Sequence, residues 1–243
     1  MFSIGNLLAR LMMTQPEAAT MQSNSLQSDA KRIFISGTGR AGTTYLVQLL
    51  TKLGLDTGTW TDDEYFPNAR AGLERHIFDL DAPRIVKSPF LCEQVDAVLA
   101  AGMAIDHVII PIRRLEDAAA SRILVQQANP GENVKGGLWE TETAEGQVDV
   151  LRRKLTSLIE ALVRHDIPMT LISFPRSATD ASYLYRKLSP LIPNVEEAFF
   201  HRVFVEVAKP ELIHDFSAAN AIGSRELRDG KGTEPSILSG GFQ

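Results

Sequence analysis

The residues Gly37-Thr38-Gly39-Arg40-Ala41-Gly42-Thr43-Thr44 carry the densest chemical information in the chain. Two glycines separated by four residues permit a tight turn. Successive backbone N–H groups of such a turn converge on an anion at the start of the following helix. The frame is that of a P-loop, with one departure. A nucleoside-triphosphate enzyme places lysine directly after the second glycine, where it reaches the β- and γ-phosphates. Here Thr43 holds that position, and the cation of the segment is Arg40, inside the turn. Nor does the next apolar run, Ile85-Val86-Lys87-Ser88, offer an acid to hold Mg²⁺. This equipment suits a single phosphate, with the Arg40 fork on its oxygens and the Thr43 and Thr44 hydroxyls donating.

The elements that must position these groups are legible around them. The apolar run 32–36 ends in the glycine turn and reads as a buried strand. Apolar residues recur at helical spacing through 43–55 and stop at Gly54. Strand, glycine turn and helix form the opening unit of a parallel α/β sheet. Strands are expected at 84–86, 107–112 and 169–174, with Pro111 fitting only near a strand end or an edge. Helices are expected at 93–100, 115–127, 143–164, 178–191 and 195–207. The expected fold is a three-layer αβα domain over residues 31–215, with a central parallel sheet. Residues 14–30 have linker composition, so 1–30 reads as a flexible N-terminal segment. The 216–243 tail, rich in Gly, Ser and charge, reads as a tail or a ligand-covering loop.

In this order of motifs the sequence resembles the sulfotransferase family that uses 3′-phosphoadenosine 5′-phosphosulfate (PAPS). The family's 5′-phosphosulfate loop reads basic, small, Gly, then Thr or Ser, which Arg40-Ala41-Gly42-Thr43-Thr44 matches with Arg in place of Lys. The family's second signature, an Arg and a Ser eight positions later that hold the 3′-phosphate, is matched by Arg113 and Ser121 after the 107–112 strand. Arg114 replaces Arg113 if the register slips by one. Val86-Lys87-Ser88-Pro89 is similar to the Lys-Ser/Thr-Pro of the carbohydrate branch, whose lysine faces the transferred group. The resemblance covers roughly residues 32–121.

It implies PAPS as donor, with no metal, and a hydroxyl of a sugar or small metabolite as acceptor. Gly37, Thr38, Gly39, Arg40, Ala41, Gly42, Thr43, Thr44, Arg113 and Ser121 would bind the cofactor. Arg40 and Lys87 would neutralise charge on the leaving oxygen. The cytosolic branch places its histidine base where Pro89 stands here, so that assignment fails. In the carbohydrate branch a Glu about two dozen residues beyond the loop is the base. Glu64 lies 24 residues after Arg40, with Asp63 and His76 as rivals. The segment Arg228-Asp229-Gly230-Lys231-Gly232 is a candidate for the loop that closes the 3′-phosphate site. Phe174 could stack on adenine or simply pack. Segments 60–77 and 129–142 are expected to build the acceptor pocket, Tyr65 and Trp139 within it touching acceptor or packing.

Bulk properties narrow the alternatives. A net charge of −5 argues against a general nucleic-acid binder. No apolar run reaches transmembrane length. Residues 1–13 have apolar positions at helical spacing without a basic stretch ahead of them, unlike a signal peptide. The lone Cys92 cannot form an internal disulfide and reads as a small packing residue, in keeping with a cytoplasmic setting. Two other readings stay open: a nucleotide kinase or NTPase with a degenerate loop, and a non-catalytic nucleotide-binding protein.

Overall fold

The computed structural model describes residues 31–216 apart from 68, 80, 130, 132, 133 and 215. The expected N-terminal segment and the 228–232 loop candidate lie outside the described residues. Four parallel strands form the main sheet: β1 (Arg32–Ile35), β4 (Ile85–Lys87), β5 (Ile105–Ile112) and β6 (Met169–Ser173), in the order β4-β1-β5-β6. A small antiparallel hairpin, β2 (Tyr65–Phe66) and β3 (Ala71–Gly72), stands apart from it.

Both faces of the sheet are covered, as the continuous apolar character of its strands requires. Ile33 and Ile35 of β1, with Ile85, Ile109 and Ile172, pack against α1 (Thr43–Lys52), α5 (Ala181–Leu188) and α6 (Glu197–Val207). Phe34, Val86, Val108 and Ile110 point the other way, onto α2 (Leu91–Ala100) and α4 (Ala144–Arg164). The period of two along β1 therefore divides the core into two layers. α3 (Leu115–Ala128) packs on α4 through Ala118, Ala119 and Leu151. Among the described residues no helix is long and apolar enough to cross a membrane.

Pro111 illustrates how sequence and topology reconcile. It lies in a strand with neighbours on both sides, yet β1 ends opposite Ile109. At Pro111 the strand borders only β6, opposite Ile172, so the missing N–H breaks no ladder on the β1 side.

The order of the strands creates the site. From β1 the chain crosses to β4 on one side, and from β5 it crosses to β6 on the other. β1 and β5 are therefore adjacent strands whose connections diverge, and a crevice opens beyond their carboxyl ends. The glycine turn follows β1, and Arg113 follows β5. Lys87 and Phe174 stand at the corresponding ends of β4 and β6.

Candidate functional site: a cationic cavity at the sheet's carboxyl edge

The crevice is a cavity of about 620 Å³. Its floor is the glycine turn. Gly37, Gly39 and Gly42 have φ of 130°, 67° and 80°, and Arg40 joins them at 53°. Gly42 has a second constraint, because a Cβ there would stand 2.9 Å from Cδ2 of Phe174. The ring thus fits over this turn only because a side chain is missing. Gly42 also caps α1, whose first helical bond runs from the Leu46 N–H to the Gly42 carbonyl at 3.0 Å. The N–H groups ahead of Leu46 have no intrahelical acceptor, which leaves an electropositive helix start at the cavity.

Of the turn residues expected to bind an anion, Gly39, Arg40, Gly42, Thr43 and Thr44 line the cavity. Gly37, Thr38 and Ala41 do not line it; Thr38 and Ala41 are buried beneath it.

Four separate elements deliver cations and a hydroxyl to this floor. Arg40 Nε donates to Ser121 Oγ of α3 at 3.0 Å, and its Nη1 donates to the Ala69 carbonyl at 2.5 Å. Burial, then the neighbouring Arg113 and Arg70, bring the Arg40 guanidinium down to about 10. Arg113 donates to the Arg40 carbonyl at 3.2 Å and to the His214 carbonyl. Its guanidinium also lies 5.4 Å from the ring centres of both Phe174 and Phe216. Of the two adjacent arginines, Arg113 lines the cavity, whereas exposed Arg114 faces Glu116 at 3.9 Å.

Lys87 is 5% exposed, and its Nζ donates to Thr44 Oγ1 at 2.8 Å, the Gly72 carbonyl at 2.5 Å and Glu74 Oε1 at 2.8 Å. Burial holds this ammonium below the ordinary lysine value, opposed by Glu74. The strand lysine and the start of α1 are thus joined directly through Thr44.

The acidic residues divide differently from the sequence expectation. Glu64 does not line the cavity. Its carboxylate accepts from the Thr61 N–H at 2.7 Å and from Arg75 Nη1 at 2.5 Å, and the Thr61 bond leads in holding it below the usual carboxylate range. Asp63 belongs to the same short 3₁₀ turn, and His76 is exposed beside Asp79 at 3.7 Å. Neither lines the cavity. Glu74 does, and among the described lining residues it is the carboxylate. No sequence motif marks it. Its position follows from the hairpin, whose Gly72 carbonyl and following Glu74 both meet Lys87.

Four further cations line the cavity that the sequence analysis does not mark: Arg122, Arg70, Lys135 and Lys209. Arg122 adjoins Ser121 and is nearly buried. It donates to the Thr38 carbonyl at 2.8 Å and the Gly137 carbonyl at 2.7 Å, tying the glycine turn to the segment beyond α3. Burial, then Arg40, brings it to about 10. Arg70 sits at the hairpin turn with φ 47° and donates to the Leu212 carbonyl at 2.5 Å. Lys135 lies 4.6 Å from the ring centre of Phe66 on β2. Its signal was present only as a lysine in a glycine-rich stretch.

Tyr65 and Trp139, from the two segments expected to form a pocket, do line the cavity. Trp139 also packs edge-on to Phe90, 6.2 Å between centres. Cys92 is buried, its thiol donating to the Pro89 carbonyl at 3.2 Å, and burial pushes it up to about 11. That is a packing environment, far from a reactive thiolate.

No family model, curated protein or solved structure matches the chain. The functional reading rests on the cavity.

Proposed function

We propose that the protein is a sulfotransferase, moving a sulfuryl group from PAPS to a hydroxyl of a carbohydrate or small-molecule acceptor. The carrying observation is that the Arg40 turn, Lys87, Arg113 and Ser121 arise from separate elements and meet in one cavity. Each is also a position that the motif resemblance marks. A cavity of about 620 Å³ falls within the range that encloses a small-molecule ligand. Its concentration of cations in a chain of net charge −5 fits a donor with several anionic groups.

PAPS supplies an activated sulfuryl group whose leaving group is a phosphate oxygen. In this reading the N–H groups of Gly42, Thr43 and Thr44 at the start of α1 hold the 5′-phosphosulfate. Arg113 and Ser121 hold the 3′-phosphate, and the Phe174 ring offers a face to the adenine. Glu74 accepts the acceptor's hydroxyl proton as the new O–S bond forms. The S–O bond to the 5′-phosphate breaks, its electron pair passing to the phosphate oxygen. Lys87 and Arg40 stabilise the charge that collects there, leaving adenosine 3′,5′-bisphosphate.

Glu74 takes the base role here because it lines the cavity, whereas Glu64 is engaged with Thr61 and Arg75 outside the lining. The deciding test is titration calorimetry with adenosine 3′,5′-bisphosphate, run beside ATP–Mg²⁺. Saturable binding of the bisphosphate that Arg113→Ala weakens is the expected result. Tight ATP–Mg²⁺ binding with none of the bisphosphate overturns the reading.

A further inference from the structure

The charge of the cavity exceeds what the donor alone needs. Its lining includes Arg40, Arg70, Lys87, Arg113, Arg122, Lys135 and Lys209 against Glu74, so cations outnumber the carboxylate by six. PAPS brings about four negative charges, a phosphate monoester contributing up to about −2. The donor therefore leaves positive charge uncompensated in a site partly closed to water.

That surplus is not spread evenly. Arg40 and Arg113 belong to the glycine turn and the end of β5, on the donor side. Arg70 and Lys135 belong to the hairpin turn and to the segment after α3. These two segments also carry Glu74 and Trp139. Lys135 is near enough to help depress Lys87, and Gly136 beside it approaches Arg40: a Cβ there would meet Arg40 Nη1 at 3.1 Å. The backbone around Lys135 is tied down. Arg122 holds the Gly137 carbonyl, Gln126 Nε2 holds the Gly131 carbonyl at 2.9 Å, and the Gly137 N–H reaches the Val134 carbonyl at 2.8 Å. Phe66 positions the ammonium itself. A lysine held on so fixed a stretch of backbone loses less freedom when it meets an anion beside the acceptor position.

Resting on the sulfotransferase reading, we propose that the acceptor is itself an acid. It would be a hydroxyl compound bearing a carboxylate or sulfate that Lys135 and Arg70 bind, while its hydroxyl meets Glu74 and Lys87. Arg70 stands close enough to Arg40 for their repulsion to help lower the latter, after burial and Arg113. An anion between them relieves that repulsion, and at a partly desolvated site such a pair discriminates strongly. Glu74 does not oppose this, because its charge is matched by Lys87 at 2.8 Å. Tyr65 and Trp139 supply apolar faces for the ring of a sugar or an aromatic acid.

The experiment uses the full chain and two acceptor pairs in which a carboxylate in one member is a near-isosteric neutral carboxamide in the other. Methyl glucuronide is set against methyl glucuronamide, and 4-hydroxybenzoate against 4-hydroxybenzamide, with labelled PAPS as donor. The acidic member of at least one pair is expected to be favoured by about 10-fold in kcat/KM, the value of one charge-assisted contact. Lys135→Gln is expected to erase that preference through KM, with affinity for adenosine 3′,5′-bisphosphate unchanged. If the bisphosphate binds but neutral and acidic members react alike, or only neutral members react, or Lys135→Gln leaves the preference intact, the acidic acceptor is refuted and the sulfotransferase reading survives. If the bisphosphate does not bind at all, that reading falls and takes this inference with it.

Discussion

The two walls of the cavity are built on different principles. The donor wall consists of the glycine turn, the start of α1, the end of β5 and Ser121 of α3. The first three grow directly out of a sheet strand or a helix packed on the sheet, and Ser121 lies on α3, which packs on α4. The opposite wall, made by the hairpin and the segment after α3, joins the main core through Leu73. Elsewhere arginines pin it to backbone carbonyls: Arg75 on Thr59, Arg122 on Gly137, and Arg70 on Leu212. A wall rooted in the core suits an invariant ligand. A wall held by side-chain forks can change its lining without disturbing the core, and it suits the partner that decides specificity.

Substitutions should separate the walls in order of severity. Lys87 stands where they meet, touching Thr44 on one side and Glu74 on the other. Lys87→Ala is expected to lower sulfuryl transfer by about 10³-fold, as loss of a charge-stabilising donor does. Radiolabel transfer measures it, with a thermal-melting control because Glu74 loses its partner. Next comes Glu74→Gln, expected to lower kcat by about 10²-fold while bisphosphate affinity holds. Glu64→Gln tests the contrast and should change kcat by less than about threefold, since its role is to hold Thr61 and Arg75. The reverse outcome for the two glutamates would restore Glu64 as the base.

On the donor wall, Arg113→Ala should weaken bisphosphate binding by about 10-fold or more in calorimetry. The smallest expected effect is in pH. Burial lowers Lys87, so its ammonium, the form that attracts the anion, is lost at a pH below the ordinary lysine value. Bisphosphate affinity should therefore fall as pH rises toward that region, by a few-fold. Lys87→Met should flatten the profile there. An unchanged slope in that variant would remove Lys87 from the anion site.

The same division governs what was legible in the sequence. The glycine turn, Lys87 and the Arg113–Ser121 pair were legible because each lies within a strand-turn-helix unit, where a few residues of spacing fix geometry. The strands and helices followed for the same reason, with edges shifting by local chemistry. The helix expected from residue 178 begins as α5 at Ala181, because Asp180 caps it by accepting from the Tyr183 N–H at 2.8 Å. Glu74 was not legible. The strands that aim it are two residues long and carry no periodicity, and its contact with Lys87 depends on Gly72. A Cβ at Gly72 would stand 2.0 Å from the Glu64 carbonyl oxygen, so the hairpin tolerates no side chain there. Arg70 and Lys135 were hidden likewise, since nothing in the spacing of two irregular segments says that they face one cavity.

The carbonyls of Leu212 and His214 rest on Arg70 and Arg113, and Phe216 covers Arg113 from above. For the proposed reaction, a phosphate on Arg113 would share that guanidinium with a carbonyl of the chain itself. Exchange of spent for fresh donor would then be coupled to the contacts of residues 212–214, a place where product release could govern turnover.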